Sequence, residues 1–311
     1  MKGTLKPAQT WETKLSKAGQ SDDGNVEEQK SAVWQELLEK GKLGYLAALR
    51  NIRNILATDS AKNVDLLCAL LVKGDLVRQA RIFPFQLLKA YEVIEALPAS
   101  NRQVLTALSD ALDISVSNIP VFEGEAAVLL DTSGSMAGLQ KIGTVFAAAL
   151  AKAWNADLMS WSAIPQWVNY NGRDSVMSIA QSIPFHNGGT NMSCAFGALV
   201  KKYSRVVVLS DMQTWVDASA GGTQLAWKGY MQRLAVRPHL YSFDLKNYGT
   251  MAIPEDRVYC LAGYSDKVFE VMGQLEGDRQ ALVNAIEAIN LEGAEASKVV
   301  GSEPVGGESD E

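Results

Sequence analysis

The sequence lacks several features that would place it at once in a broad class of proteins. None of its apolar runs approaches the ~20 residues that a membrane-spanning helix requires. A basic start followed by an apolar stretch and a small-residue cleavage site is also missing, so secretion is not indicated. The three cysteines, Cys68, Cys194 and Cys260, are widely spaced and form no disulfide or metal-binding pattern. We therefore expect a reduced, cytoplasmic protein.

Residues typical of common catalytic sites are also scarce. The chain has only two histidines, His186 and His239, and neither is placed as an evident general base for a nucleophilic serine. A Gly-x-Ser-x-Gly motif and a P-loop are both absent. These absences argue against serine and nucleotide hydrolases and favour a protein that binds rather than catalyses.

The chain does have enough apolar residues for two folded domains, since 47% of its 311 residues are hydrophobic. Short helical segments in the first part predict an antiparallel, HEAT-like helical array. Alternating strands and helices in the second part predict a doubly wound, mostly parallel sheet with helices on both faces. The predicted order is a flexible, partly helical segment (1–26), a helical domain (27–118), a linker (119–124), an α/β domain (125–290) and an acidic disordered tail (291–311).

Apolar periodicity and breaker residues predict the individual elements. In the first part, helices are predicted at 10–17, 27–39, 42–56, 61–72, 75–80, 84–96 and 101–116. In the second part, strands are predicted at 126–131, 157–162, 166–170, 205–210, 239–244 and 258–261, with helices at 139–154, 175–181, 192–203, 224–235 and 267–274. Strands 157–162 and 166–170 are close enough to form a hairpin with one antiparallel edge strand.

Charge is distributed unevenly along the chain. The net charge is −6, which by itself argues against nucleic-acid binding. Residues 40–89, however, contain nine Lys or Arg and three Asp, a local balance of +6, whereas residues 291–311 contain six acids and one lysine. The helical part is therefore basic enough to bind an anionic partner.

One short stretch predicts a cation site. The uncharged strand 126–130 ends at Asp131, and Ser133 and Ser135 follow at alternate positions. In open α/β sheets, ligands bind beyond the carboxyl ends of the strands. One carboxylate with neutral hydroxyls suits a hard cation such as Mg²⁺ or Mn²⁺.

The motif Asp131-x-Ser133-x-Ser135 resembles the metal-ion-dependent adhesion site (MIDAS) of von Willebrand factor A domains. Two downstream residues match the rest of that site: Thr190, after a glycine pair, and Asp211, at the end of a second buried strand. The resemblance implies that all five bind or approach the metal, with Asp211 acting directly or through water. The metal's open position would then accept a carboxylate from a ligand or protein partner.

Each residue also has a purely structural interpretation. Asp211 could cap a turn, Thr190 could serve only as the N-cap of the next helix, and the serines could satisfy backbone groups. Asp131 with Asp211 also suggests a phosphotransfer pair, which is disfavoured because hydroxyl-rich ligation leaves the metal available to a partner's carboxylate. A metal hydrolase is disfavoured because no general base is evident near the site.

The helical part resembles the TROVE module of Ro ribonucleoproteins. The resemblance lies in residues 41–56, with Leu-Arg-Asn-x-Arg-Asn at 49–54, and in residues 80–91, with Arg-Ile-x-Pro at 81–84. Ro proteins pair a HEAT-like helical ring with a C-terminal A domain and bind small structured RNAs and the single-stranded ends of misfolded RNAs. About 90 residues are fewer than such a ring needs. Either a second chain or further copies complete the module, or the chain is a truncated form, or it never closes a ring.

Several basic and amide side chains of this module are candidates for RNA contact. Within the predicted helix 42–56, Arg50, Arg53 and Asn54 share a face opposite the apolar positions. Guanidinium and amide groups suit phosphates and base edges, but the same groups could instead bond the carbonyl ends of neighbouring helices. The RNA-binding candidates are Lys42, Arg50, Arg53, Asn54, Arg78, Arg81 and Lys89.

The sequence supports two functional hypotheses. The first is a non-catalytic, Ro-like scaffold that binds RNA through its basic helical face and a ligand or protein carboxylate through its metal site. The second is a metal-dependent protein interaction module that completes its helical part with another chain and binds no RNA by itself. Neither involves a membrane.

Overall fold

The computed structural model describes residues 10–20, 25–97, 101–211, 222–246, 256–262 and 266–277. A helical part is followed by a mixed α/β part, as predicted. The described residues up to Ala262 belong to one compact unit, and the last helix, α12 (Asp266–Gly277), belongs to a second and is described by itself. The predicted tail, 291–311, lies outside the described residues. None of the described helices is long and apolar enough to cross a membrane.

The predicted helices of the first part are confirmed with small boundary shifts. Within the described residues they are α1 (Trp11–Gly19), α2 (Val26–Glu39), α3 (Tyr45–Leu56), α4 (Ala61–Leu71), α5 (Gly74–Gln79), α6 (Pro84–Glu95) and α7 (Arg102–Ser115). Local signals define several ends. The Ser60 side chain accepts a hydrogen bond from the backbone N–H of Asn63 at the start of α4, and proline opens α6.

Helix α3 has the two faces that its sequence predicts. Ala48, Ile52 and Ile55 are fully or almost fully buried, whereas Arg50 and Arg53 on the other face are exposed. Burial of this apolar stripe orients the helix, because apolar contact provides most of the stability of a helix in a folded protein.

The α/β part is built on one six-stranded sheet within the described residues. The strands are β1 (Ala126–Asp131), β2 (Asp157–Trp161), β3 (Pro165–Val168), β4 (Arg205–Ser210), β5 (His239–Asp244) and β6 (Val258–Ala262). Their order is β3-β2-β1-β4-β5-β6, with β3 antiparallel to β2 and all other pairs parallel. The predicted hairpin and antiparallel edge strand are therefore confirmed. The carboxyl ends of β1, β4 and β5 lie side by side.

Helices cover both faces of the sheet. Helix α8 (Gln140–Trp154) packs closely on one face, where a Cβ added at Gly143 would lie 3.1 Å from Leu130 Cδ1. On the other face, α10 (Met192–Gly197) and α11 (Gly222–Leu234) bury Phe196 and Trp227 against β1 and β4. This arrangement confirms the predicted doubly wound sheet.

The predicted helix 192–203 is wrong in its second half. Helix α10 ends at Gly197, and the chain continues without helical structure to β4. Leu199 and Tyr203 are buried in the same core as α10, and the Tyr203 hydroxyl donates a hydrogen bond to Asp157 Oδ2 (2.7 Å). The need to bury these side chains overrides the local helical pattern.

The predicted linker 119–124 is held firmly between the two parts. Trp154 Nε1 donates to the carbonyl of Pro120 (2.8 Å), and the buried Arg205 guanidinium donates to the carbonyl of Glu123 (2.7 Å). The Arg205 guanidinium also lies 5.0 Å from the centre of the Phe122 ring. The connection is therefore part of the packed structure.

A carboxylate on α7 ties the helical part to the sheet part. Asp113 Oδ1 accepts hydrogen bonds from Lys152 Nζ on α8 (2.6 Å) and from the backbone N–H of Val176 (3.0 Å). Val176 opens the short helix α9 (Val176–Ser182), so one side chain joins three helices. The orientation of the two parts thus depends on specific polar contacts as well as on apolar packing.

Candidate metal centre and basic groove

Two buried aspartates lie at the carboxyl edge of the sheet. Asp131 ends β1, and Asp211 follows the neighbouring strand β4; both are fully buried. Burial raises the pKa of the Asp131 carboxyl, and the negative charge of Asp211 raises it further. Hydrogen bonds from Ser133 and Ser210 oppose this rise because they stabilise the charged form.

The Asp131 carboxylate is fixed in place by both of its oxygens. Oδ1 accepts the backbone N–H of Ser133 (2.8 Å), and Oδ2 accepts the Ser210 hydroxyl (2.7 Å). Ser210 was not among the predicted site residues. In the sequence, only its position at the end of a buried strand, directly before Asp211, could have indicated a role for Ser210.

The two predicted serines come together on one tight loop. Ser133 is buried and Ser135 is half-buried, and their hydroxyl oxygens lie 3.2 Å apart. The loop continues as a 3₁₀ turn, with the backbone N–H of Met136 donating to the carbonyl of Ser133 (3.0 Å). Two hydroxyls are therefore available next to the Asp131 carboxylate.

The segment containing Thr190 lies along this loop. The backbone N–H of Asn187 donates to the carbonyl of Thr132 (3.0 Å), and that of Gly134 donates to the carbonyl of Gly188 (2.9 Å). These bonds bring the exposed Thr190 to the same edge of the sheet. The prediction that Thr190 is the helix N-cap is wrong, because the N-cap is Asn191 and α10 begins at Met192.

A lysine that was not among the predicted site residues also reaches this edge. Lys246 Nζ lies 2.9 Å from Asp211 Oδ2 and donates to the carbonyl of Ser135, also at 2.9 Å. The backbone N–H of Lys246 donates to Oδ1 of Asp244, the buried last residue of β5. Lys246 is distant in sequence from both partners, so no local pattern could have identified it.

The oxygen atoms at this edge form a suitable set of ligands for a hard divalent cation. Carboxylates and hydroxyls are the ligands that Mg²⁺ and Mn²⁺ prefer. Within the described ranges, no three His, Cys, Asp or Glu side chains converge as metal ligands. A cation bound here would therefore depend on the serine and threonine hydroxyls as well as on the two aspartates.

Three of the predicted RNA-binding residues meet in a groove between α3 and α6. The groove has a volume of about 450 Å³, and Arg50, Arg53 and Lys89 line it. Leu46 and Val93, which are 38% and 40% exposed, line it as well. The groove thus combines positive charge with an accessible apolar surface.

The other four predicted RNA-binding residues are not among those that line this groove. Arg78 forms an ion pair with Asp75 (2.6 Å), which neutralises part of its charge. Asn54 donates a hydrogen bond to Asn51 Oδ1 of its own helix (3.0 Å). Lys42 and Arg81 are exposed, and Arg81 has a left-handed backbone with a φ of 48°.

Comparison with a family model bears on the helical part of the chain. Residues 1–124 match the model of the TROVE domain. The helical part is therefore similar to the TROVE domain. The predicted resemblance of the helical module is thereby confirmed.

Two curated relatives each match this chain over 99 residues. Telomerase protein component 1 of Mus musculus is 37% identical over 99 residues, and that of Rattus norvegicus is 35% identical over 99 residues. The match covers 32% of this chain and 3% of each relative, so the chain spans only a small fraction of their length.

One solved structure shares the arrangement of both parts. The crystal structure of the Deinococcus radiodurans RO (RSR) protein superposes with a TM-score of 0.60 at 17% sequence identity. The match covers 85% of this chain and 62% of the other. At this identity the similarity establishes the fold, a helical part followed by an α/β sheet, and nothing further.

Proposed function

We propose that this chain is a non-catalytic scaffold that binds RNA through its TROVE domain as part of a ribonucleoprotein. The observation that carries the proposal is the α3–α6 groove, where Arg50, Arg53 and Lys89 line one continuous surface. Arginine guanidinium groups bind phosphates in a bidentate manner, and lysine adds a further positive charge. The names of the curated relatives, as protein components of telomerase, are consistent with membership in an assembly.

The local contacts favour RNA binding over a structural role for these arginines. Within the described ranges, neither Arg50 nor Arg53 forms an ion pair or a hydrogen bond with a side chain or carbonyl of another helix. Leu46 and Val93 leave apolar surface beside the charges, which suits contact with a ribose or the face of a base. Structured RNA and the single-stranded ends of misfolded RNA are both suitable ligands for such a groove.

The groove can be tested with a charge-removing variant. In Arg50→Gln/Arg53→Gln/Lys89→Gln, we expect weaker binding of a small structured RNA and a shallower salt dependence. The slope of log K against log salt should fall by about 2, since each lost phosphate contact contributes about 0.7 to 0.9. Fluorescence anisotropy across a salt series measures both quantities.

A matched variant carries the same charge change at exposed positions outside the groove, Lys73→Gln/Arg102→Gln/Lys202→Gln. It should keep most of the affinity of the wild type. Equal losses in the two variants would reject the groove as the binding surface, and absence of binding by the wild type would reject the RNA proposal.

The second part of the proposal concerns the sheet. We infer that the α/β part is a von Willebrand factor A-like domain whose Asp131, Ser133, Ser135, Thr190 and Asp211 bind Mg²⁺ or Mn²⁺. The support is chemical: two buried aspartates and two neighbouring hydroxyls meet at the edge where such folds bind ligands. When bound, the metal would offer a coordination position to an acidic side chain of a partner.

The metal site can be tested by direct titration. We expect Asp131→Asn to reduce Mn²⁺ affinity more than about 100-fold, equivalent to about 2.7 kcal/mol, because it removes a charged ligand. Asp110→Asn, at an exposed aspartate on α7, is the control and should bind as the wild type does. Isothermal titration calorimetry measures both. Equal affinities in Asp131→Asn and the wild type would contradict the site.

The groove variant and Asp131→Asn together distinguish the proposed scaffold from the alternative function, a metal-dependent protein interaction module. If the chain is only a metal-dependent protein interaction module, the groove variant will not alter its behaviour and the wild type will not bind RNA. Capture of an acidic partner, or of a second chain that completes the helical module, would then depend on Asp131 alone. In the scaffold proposed above, the groove variant loses RNA and Asp131→Asn retains it.

A further inference from the structure

Lys246 already neutralises a carboxylate that the proposed metal site needs. Its ammonium group lies 2.9 Å from Asp211 Oδ2, and the Asp211 side chain is fully buried. The Lys246 side chain itself is 27% exposed, so it approaches from the solvent side of the site. The same ammonium group donates to the carbonyl of Ser135, on the loop that bears both serines. One lysine thus links the ends of β4 and β1.

The backbone holds Lys246 beside the site. The backbone N–H of Leu245 donates to the carbonyl of Ser210 (2.9 Å), and that of Lys246 donates to Asp244 Oδ1 (3.0 Å). The turn after β5 is therefore fastened to the end of β4. The ammonium group is confined to the neighbourhood of Asp211 at a high effective concentration, as a tethered ligand is.

The local charge balance favours a cation here. Asp131 and Asp211 are both fully buried and lie at the ends of the neighbouring strands β1 and β4. Carboxylates that are close together repel each other, and a buried charge without a partner is strongly destabilising. Lys246 supplies one positive charge to this pair, which a divalent cation could also supply.

We propose that Lys246 is a tethered cation that competes with the divalent ion for Asp211, so that the ion binds by displacing the ammonium group. This inference rests on the metal site proposed above. An ammonium group and a metal ion repel each other, so the two compete for the charge of the Asp211 carboxylate. Displacement also breaks the bond to Ser135, so ion binding releases the serine loop from the turn after β5.

Direct Mn²⁺ titration of the full chain by electron paramagnetic resonance tests the competition. Lys246→Met keeps the length of the side chain and removes the charge, and should bind Mn²⁺ about tenfold more tightly, equivalent to about 1.4 kcal/mol. Lys246→Arg keeps the charge and should remain near wild-type affinity. Lys201→Met removes a lysine paired with Asp157, at the start of β2, and should leave the affinity unchanged.

The outcomes distinguish this inference from the metal site itself. If the wild type binds Mn²⁺ through Asp131 and Lys246→Met binds no more tightly, the competition is rejected and the metal site stands. If the wild type binds poorly and Lys246→Met binds well, the competition is supported. If neither binds, the metal site fails and the competition fails with it.

A second measurement uses the wild-type protein and does not depend on the folding of a variant. Amine-selective labelling, followed by peptide mass spectrometry, reports the accessibility of Lys246 with and without Mn²⁺. We expect labelling of Lys246 to increase at least about twofold when Mn²⁺ is added, because the ammonium group leaves Asp211. Labelling of Lys201 is the internal control. Unchanged or decreased labelling of Lys246 under saturating Mn²⁺ would overturn the proposal.

Discussion

Only some of the residues that form the candidate metal centre could be predicted from the sequence. Asp131 and Ser133 could be predicted, because an uncharged strand that ends in an aspartate is a local signal. Ser210 and Lys246 could not be assigned in the same way. They reach Asp131 and Asp211 only because β1, β4 and β5 are neighbours in the sheet.

Gly124 is a residue whose substitution should be costly. Its φ is +88°, a region that residues with a Cβ rarely adopt, and an added Cβ would overlap the Ser204 hydroxyl. We expect Gly124→Ala to lower the free energy of unfolding by about 1–3 kcal/mol, measured by urea denaturation. Gly138→Ala, where a Cβ would meet nothing within 4 Å, is the control.

The double variant Gly124→Ala/Ser204→Ala isolates the contribution of the Ser204 hydroxyl. It removes the overlap with the hydroxyl but neither the 2.7 Å approach to the Cβ of residue 204 nor the backbone strain, so it should recover only part of the lost stability. A single variant as stable as the wild type would show that the connection into β1 tolerates a different backbone conformation.

At the scale of elements, α1 is held on α2 by charge as well as by aromatic contact. Lys14 of α1 and Lys40 each lie 3.0 Å from Glu36 Oε1, and the rings of Trp11 and Trp34 have centroids 6.2 Å apart. Hydrogen bonds from Lys40 and Lys14 lower the pKa of Glu36 from 4.5 to about 2. The docking of α1 on α2 should therefore weaken at acid pH, where Glu36 becomes protonated.

The direction of this pH dependence follows from the lowered pKa. A carboxyl whose pKa is depressed in the folded state contributes stability above pH 4.5, and this contribution is lost as the pH falls from 4.5 towards 2. We expect Glu36→Gln to be less stable than the wild type at pH 6, and the difference to vanish near pH 2. Urea midpoints followed by circular dichroism measure this difference.

Glu92→Gln, at an exposed glutamate of α6, is the matched control and should follow the wild type across the whole range. A constant difference between Glu36→Gln and the wild type from pH 6 to pH 2 would show that the carboxylate charge of Glu36 does not contribute.

At the scale of the molecule, polar contacts join the helical part to the sheet part. We therefore expect the two parts to unfold together. Asp113 accepts hydrogen bonds from Lys152 and from the backbone of Val176, and so joins α7 to α8 and α9. We expect Asp113→Ala to lower the free energy of unfolding by about 1–3 kcal/mol, because charge-assisted hydrogen bonds are among the stronger ones. Urea denaturation followed by circular dichroism measures the change.

The control for this contact is Asp110→Ala, an exposed aspartate on the same helix. In the wild type, circular dichroism and tryptophan fluorescence should show coincident transitions, as expected for one cooperative unit. Equal stability of the two alanine variants would mean that Asp113 does not couple the two parts. Separate transitions in the wild type would contradict cooperative unfolding.

The sequence by itself determined the order of elements, the strands and the aspartate-serine loop, because apolar periodicity and strand-end polarity are local properties. It also determined the TROVE resemblance, which rests on short contiguous motifs. The tertiary structure decided which polar groups meet: Ser210 and Lys246 at the carboxyl edge, and Arg50, Arg53 and Lys89 in one groove. The shorter α10 and the anchored linker were also decided there. The physical reason is that burial and pairing act between segments distant in sequence, so only the folded chain specifies them.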